Sequence, residues 1–198
     1  MIAFKLAFKN LVGAGLRTWL NVSVLSFAFV VIVFYNGMLD GWNQQAIFDT
    51  KTWETGYGEL WHPQYDPYDP YCLQDAHAPI PKDISPLIDS KQMTPILITQ
   101  AAIFPKGRIQ NILLKGIDPA QNIIKIPSDR LVSNGNVIPA VIGKRMASSA
   151  KLAEGDRVLL RWRDKNGTFD ADEIQITGIF SANVPAIDNG QVWIPLAA

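Results

Sequence analysis

Six side chains of metal-ligand type crowd one short stretch, WHPQYDPYDPYCLQDAHAPIP, residues 61–81. They are His62, Asp66, Asp69, Cys72, Asp75 and His77. Imidazole, thiolate and carboxylate together could hold zinc or another divalent cation. Their spacing matches no standard site. Zinc sites show C-x-x-C or H-E-x-x-H, and calcium loops alternate acids around a central Gly. Five prolines interrupt the stretch, at 63, 67, 70, 79 and 81. They forbid regular helix and make this a surface loop. No metal ligand is assigned to it.

Other chemistry is thinner still. Nucleophilic catalysis would need a motif such as G-x-S-x-G, and none is present. Cys72 is the sole cysteine. An intramolecular disulfide is therefore excluded, and a thiol nucleophile would need a neighbour that lowers its pKa. The only Gly-Lys pair is Gly143-Lys144, followed by Arg145 and with Ile at 138. A phosphate-cradling loop needs GxxxxGK[ST], so this pair fails it. Arg157, Arg161 and Arg163 line one face of a strand with Trp162 between them, as half-exposed sheets ordinarily do. No catalytic or cofactor-binding residue is assigned, and the chain is not expected to be an enzyme.

Composition narrows the class. The 198 residues are 48% hydrophobic but only 18% charged, with 18 basic and 18 acidic side chains balancing. About 25% charged is usual for soluble domains. The balance gives no basic excess for nucleic-acid binding.

The apolar excess is concentrated. Thr18 to Leu39 contains no Asp, Glu, Lys or Arg. About 20 helical residues rise about 30 Å, the thickness of a bilayer's hydrocarbon core. Apolar side chains surround this segment instead of forming one stripe, so residues 18–41 are expected to be a transmembrane helix. A secretory signal would be shorter and would end in a small-x-small cleavage site; this run ends YNGMLDGW. Trp19, Tyr35 and Trp42 sit where interfacial anchors belong. Lys5, Lys9 and Arg17 precede the run without any acid, while Asp40 and Asp49 follow it. The positive-inside rule then places residues 1–17 in the cytoplasm and 42–198 outside, the periplasm in a Gram-negative cell. Phe4, Phe8, Leu11 and Val12 fall at helical spacing, which predicts an amphipathic elbow helix over 1–17, with Gly13 and Gly15 bending it into the span.

Residues 42–198 read as an extracytoplasmic domain. A helix is expected to continue past Trp42, followed by a strand before residue 60. ILITQAAIF, residues 96–104, lies between prolines and reads as a buried strand. Ile109 to Lys115 predicts another, ending at a Gly116-Asp118-Pro119 turn. IGKRMASSAKLAEGD predicts a helix with its stop at Gly155. Val158, Leu160 and Trp162 alternate with Arg157, Leu159, Arg161 and Arg163, one apolar and one largely basic face, and Asn166-Gly167 predicts a hairpin turn to Ile174–Phe180. Asn189-Gly190 predicts a further turn before a strand over 192–196. The fold class is α+β: an elbow helix, one transmembrane helix and a mixed α/β core domain with antiparallel hairpins.

PAVIGKRMASSAKLAEGDRVLLRW, IQITGIF and GQVWIPLAA, in that order, resemble the extracytoplasmic core domain of FtsX/MacB-type ABC transporter permeases. The opening, FKLAFKNLVGAGLRTWL, is similar to that family's elbow and first span, through Ala7, Lys9, Asn10, Leu11 and Arg17. The likeness covers residues 3–45 and 107–198. The resemblance implies a permease subunit of the mechanotransmission kind, in which ATP hydrolysed on a separate subunit drives work outside the membrane. It implies three further spans beyond Ala198, so the chain is expected to be the N-terminal part of a longer permease. It also implies an ABC ATPase partner and a second permease subunit, like or unlike. Among lipoprotein-releasing members the cargo is an acylated protein. Phe34, Tyr35, Met38, Leu39 and Trp42, at the outer end of the span, could then contact its acyl chains or membrane lipid. Peptide or drug efflux and cell-division regulation are the alternatives within the family. A single-span anchored binding module, or a tethered enzyme using the His/Asp loop, are the alternatives outside it.

Overall fold

The computed structural model describes residues 2–69, 72–132, 137–164 and 166–198, the Gln74 side chain excepted. Pro70, one of the five loop prolines, lies outside the described residues. The chain divides into two units, Met1–Ile47 and Phe48–Ala198.

The first unit is helical. Helix α1 runs Ile2–Gly13, and α2 runs Leu16–Thr50. Gly15 separates them at φ +63°, a left-handed conformation that side chains with a Cβ avoid. At 35 residues α2 rises about 50 Å. It is the one helix among the described residues long and apolar enough to cross a membrane. Its apolar side chains are exposed on every side: Leu25, Phe27, Phe29 and Phe34 are all about 70% accessible. Gly37 and Gly41 do not interrupt it.

In the second unit the chain leaves α2 through a π-turn, Lys51–Thr55, that ends at Gly56. No strand follows before residue 60; the chain there is irregular. Short helix α3 spans Ser85–Asp89. Six strands then form a closed barrel: β1 Ile96–Ile103, β2 Gln110–Ile117, β3 Ile138–Gly143, β4 Arg157–Arg163, β5 Phe169–Phe180 and β6 Gln191–Pro195. Their order around the barrel is β1-β2-β6-β3-β5-β4. Helix α4, Lys144–Ala150, follows β3, and α5, Pro185–Gly190, precedes β6.

The domain is thus mixed helix and sheet as expected, but its sheet closes into a barrel, which antiparallel hairpins alone do not describe. β1–β2, β1–β4, β4–β5 and β3–β6 pair antiparallel, whereas β2–β6 and β3–β5 pair parallel. Parallel pairs need crossovers, and the segments containing α4 and α5 lie in those connections. Asn189-Gly190, expected as a turn between strands, instead ends α5. Gly155, expected to stop α4, lies beyond it. The helix ends earlier because Lys151 adopts a left-handed conformation and the Leu152 amide donates back to Ala147 O at 2.9 Å.

Alternation along the strands builds two cores. Inward side chains Ile112, Leu114, Ala140, Ile142, Val158, Leu160, Ile174, Ile176, Val192 and Ile194 fill the barrel. A second core lies on the outer face of β2, β6 and β3, where Ile117, Trp193 and Val141 meet Ile124, Ile126, Leu131 and Ile187. A bulge at Thr177 lets β5 join it. The β3 register jumps from Ala140↔Ile176 to Val141↔Gly178, and Thr177 Oγ1 donates to Ala140 O at 3.2 Å. The extra residue reverses the alternation, so Phe180 turns outward into the second core.

Candidate functional site

The five residues expected to meet acyl chains lie on α2. At 100° per residue they fall within about 140° of its circumference. Phe34, Tyr35, Leu39 and Trp42 are exposed and Met38 is half-buried. The arrangement is a broad apolar patch that includes one phenol, Tyr35, and one indole, Trp42. It can contact hydrocarbon, and its polar atoms are the Tyr35 hydroxyl and the Trp42 indole N–H.

In the His/Asp loop, His62, Asp66 and Cys72 bond to nearby backbone. His62 Nδ1 accepts from the Gln64 amide at 3.3 Å, and Asp66 Oδ1 from the Tyr68 amide at 2.9 Å. Cys72 Sγ meets both backbone groups of Asp66, donating to its carbonyl at 3.1 Å and accepting from its amide at 3.3 Å. Among the described residues no three His, Cys, Asp or Glu side chains converge as a metal site. Trp61 and Tyr65 stack with ring centroids 3.9 Å apart. These contacts tie residues 61–68 to one another and to Cys72.

The basic face of β4 is likewise engaged. Arg157 pairs with Glu173 at 3.7 Å, Arg161 lies 4.4 Å over the Phe169 ring, and Arg163 Nε donates to Gly167 O at 2.8 Å. At Gly143-Lys144 the strand does turn into a helix. The amides a phosphate would require are already taken by a buried carboxylate from α5. Asp188 Oδ1 accepts from the Lys144 amide at 3.0 Å, and Oδ2 from the Arg145 amide at 3.1 Å. An open depression of about 560 Å³ lies beside them, lined by Lys144, Arg145, Ser148, Ser149, Ser181 and Asn183.

Sequence reading missed a buried polar centre where the π-turn meets the barrel wall. Glu54 Oε1 accepts from Lys115 Nζ and from Gln191 Nε2, both at 3.1 Å. Lys115 on β2 and Trp193 on β6 are register partners, and the ammonium lies 5.0 Å from the indole centroid. Lys115 and Gln191 are only 4% and 3% accessible. Trp53 stacks on Phe180 at 5.7 Å, and the Lys125 amide donates to Thr52 O at 2.9 Å. The available signal was a lysine inside the apolar strand ILLKGI, which a charge enters only with a partner. Nothing in the sequence pointed to Glu54, 61 residues upstream.

No protein-family model matches the chain, and no curated protein matches it.

Proposed function

We propose that the chain is part of a permease subunit of a mechanotransmission-type ABC transporter in a bacterial inner membrane. In this reading α2 spans the bilayer, α1 lies on its cytoplasmic face, and the barrel unit is periplasmic. ATP is hydrolysed by a separate ABC ATPase, and a second permease subunit, like or unlike, completes the membrane core. The work outside is lipoprotein release, with Phe34, Tyr35, Met38, Leu39 and Trp42 against acyl chains or lipid.

One observation carries the membrane part of the reading: a 35-residue helix exposes apolar side chains on all sides, in a chain whose other unit is a barrel with filled cores. Leaving a Leu or Phe in water forgoes about 1.5–3 kcal/mol relative to burial. Many such residues on one helix call for a hydrocarbon solvent. Their lack of a single stripe distinguishes a span from a helix lying on a surface. The motif order described above, IGKRM through GD to GIF and IPL, adds the permease likeness.

Two measurements test it. Affinity purification from mild detergent should bring down a P-loop ATPase, and protease added to intact spheroplasts should digest residues 48–198. A chain that purifies without an ATPase is instead an anchored binding module. Digestion only after lysis would overturn the orientation. Release of labelled lipoprotein, as against export of a peptide or drug, separates the cargo classes.

A further inference from the structure

We propose that residues 48–56 form a releasable strap on the barrel wall, fastened by Glu54 acting against the buried charge of Lys115. The inference does not rest on the transport reading. It uses only contacts within the barrel unit.

The Lys115 side chain is 5% accessible, so its ammonium has been taken out of water. Among the described residues it meets one carboxylate oxygen, Glu54 Oε1, and the face of Trp193. Glu54 is unlike it. Its side chain is 33% accessible and reaches the lysine from the π-turn, not from a barrel strand. The same oxygen also satisfies Gln191 Nε2. Around it Gln191 Oε1 and Trp193 Nε1 are buried without a hydrogen-bond partner. The Lys115 ammonium therefore has its carboxylate only while the strap is seated, and two polar atoms beside it lack partners even then.

The rest of the strap meets the barrel unit mainly through side chains. Trp53 stacks on Phe180 against the outer core, and the Lys125 ammonium lies 6.0 Å from the Trp53 ring centroid. The Lys125 amide donates to Thr52 O, Asp49 is buried, and Gly56 passes Ile123, whose Cγ2 would lie 3.1 Å from a Cβ at that position. No barrel strand pairs with it. Five residues in π geometry form a turn type that is rare and seldom persists without outside contacts. A buried charge robbed of its partner destabilises whatever buries it. Here what buries it can leave. Removing the Glu54 carboxylate should make Lys115 favour the strap-off state, in which water reaches the ammonium, while the barrel's own pairing stays intact. Removing the charge of Lys115 as well should remove that drive, because a methionine packs against Trp193 beneath a seated strap.

The test is hydrogen–deuterium exchange of the full chain in detergent micelles, resolved by segment. In E54A the amides of 48–56 should exchange at least about tenfold faster, with β2 and β6 unchanged. In K115M, and in the double variant E54A/K115M, strap exchange should stay near the original rate. Should E54A not accumulate, E54Q serves: its amide oxygen still accepts from Lys115 but carries no charge, and strap exchange should still rise. Unchanged strap exchange in E54A or E54Q overturns the proposal. So does acceleration shared equally by the strap and the barrel strands, or a double variant as fast as E54A.

Discussion

Asp188 shows how one side chain can fix a local fold. It is 2% accessible, and its two oxygens accept from the amides of Lys144, Arg145 and Ala182 and pair with the Arg145 guanidinium at 3.4 Å. Helix α4 has no capping side chain of its own, because its N-cap is Gly143. The cap comes from α5, and the approach explains the glycine: a Cβ at 143 would sit 2.2 Å from Asp188 O. Two expectations follow from this contact. Asp188→Ala leaves buried amides unpaired and should destabilise the barrel unit by about 3 kcal/mol. Gly143→Ala cannot be accommodated without backbone movement and should cost about 1–3 kcal/mol or more. Urea denaturation followed by tryptophan fluorescence reads both, and a Gly143→Ala variant of undiminished stability would contradict the contact. The sequence made Gly143 visible through IGKRM, yet gave no sign that Asp188, in an ordinary AIDNG segment, was its counterpart. A residue that acts across 45 positions leaves no periodic trace.

At the scale of elements, legibility followed locality. The β4 alternation of Val158, Leu160 and Trp162 is a property of neighbouring residues, and the strand places those side chains inward as read. Strands β1 and β2 likewise fall close to their predicted spans. The end of α4 was misread because the left-handed residue is Lys151, whose type gives no hint of that conformation. Gly155 instead shapes the turn into β4, where its amide donates to Ile176 O at 2.7 Å and the Asp156 carboxylate accepts from the Ala153 amide at 2.8 Å. Helix α2 runs on through Gly37 and Gly41, which propensity alone argues against. Neither glycine has any atom within 4 Å of where a Cβ would stand. Gly37→Ala and Gly41→Ala should therefore be tolerated sterically, and each should stabilise the helix by about 1 kcal/mol. Far-UV ellipticity during heating in detergent micelles would show it. Loss of helicity in either variant would mean that the glycine serves a close partner or a bend.

The barrel's closure was the least legible feature, because it depends on which strands meet and not on what any strand looks like. Parallel pairing of β2 with β6 and of β3 with β5 joins segments about 80 and 35 residues apart and is invisible to a hairpin reading. Closure also makes the wall β2-β6-β3 two-sided. Val192 and Ile142 enter the barrel interior, while Trp193 and Val141, next to them in sequence, enter the outer core. The two cores thus share strands and cannot be lost separately: loosening the outer one displaces the backbone that lines the inner one. Residues 48–198 expressed without the apolar helix should accordingly remain folded in water and unfold in one transition. Fluorescence of Trp193 in the outer core and of Trp162 at the inner core, each read in a variant keeping that tryptophan alone, should give the same urea midpoint. Two separated midpoints would show that the barrel interior and its outer face are independent structures, and the shared wall would then not couple them.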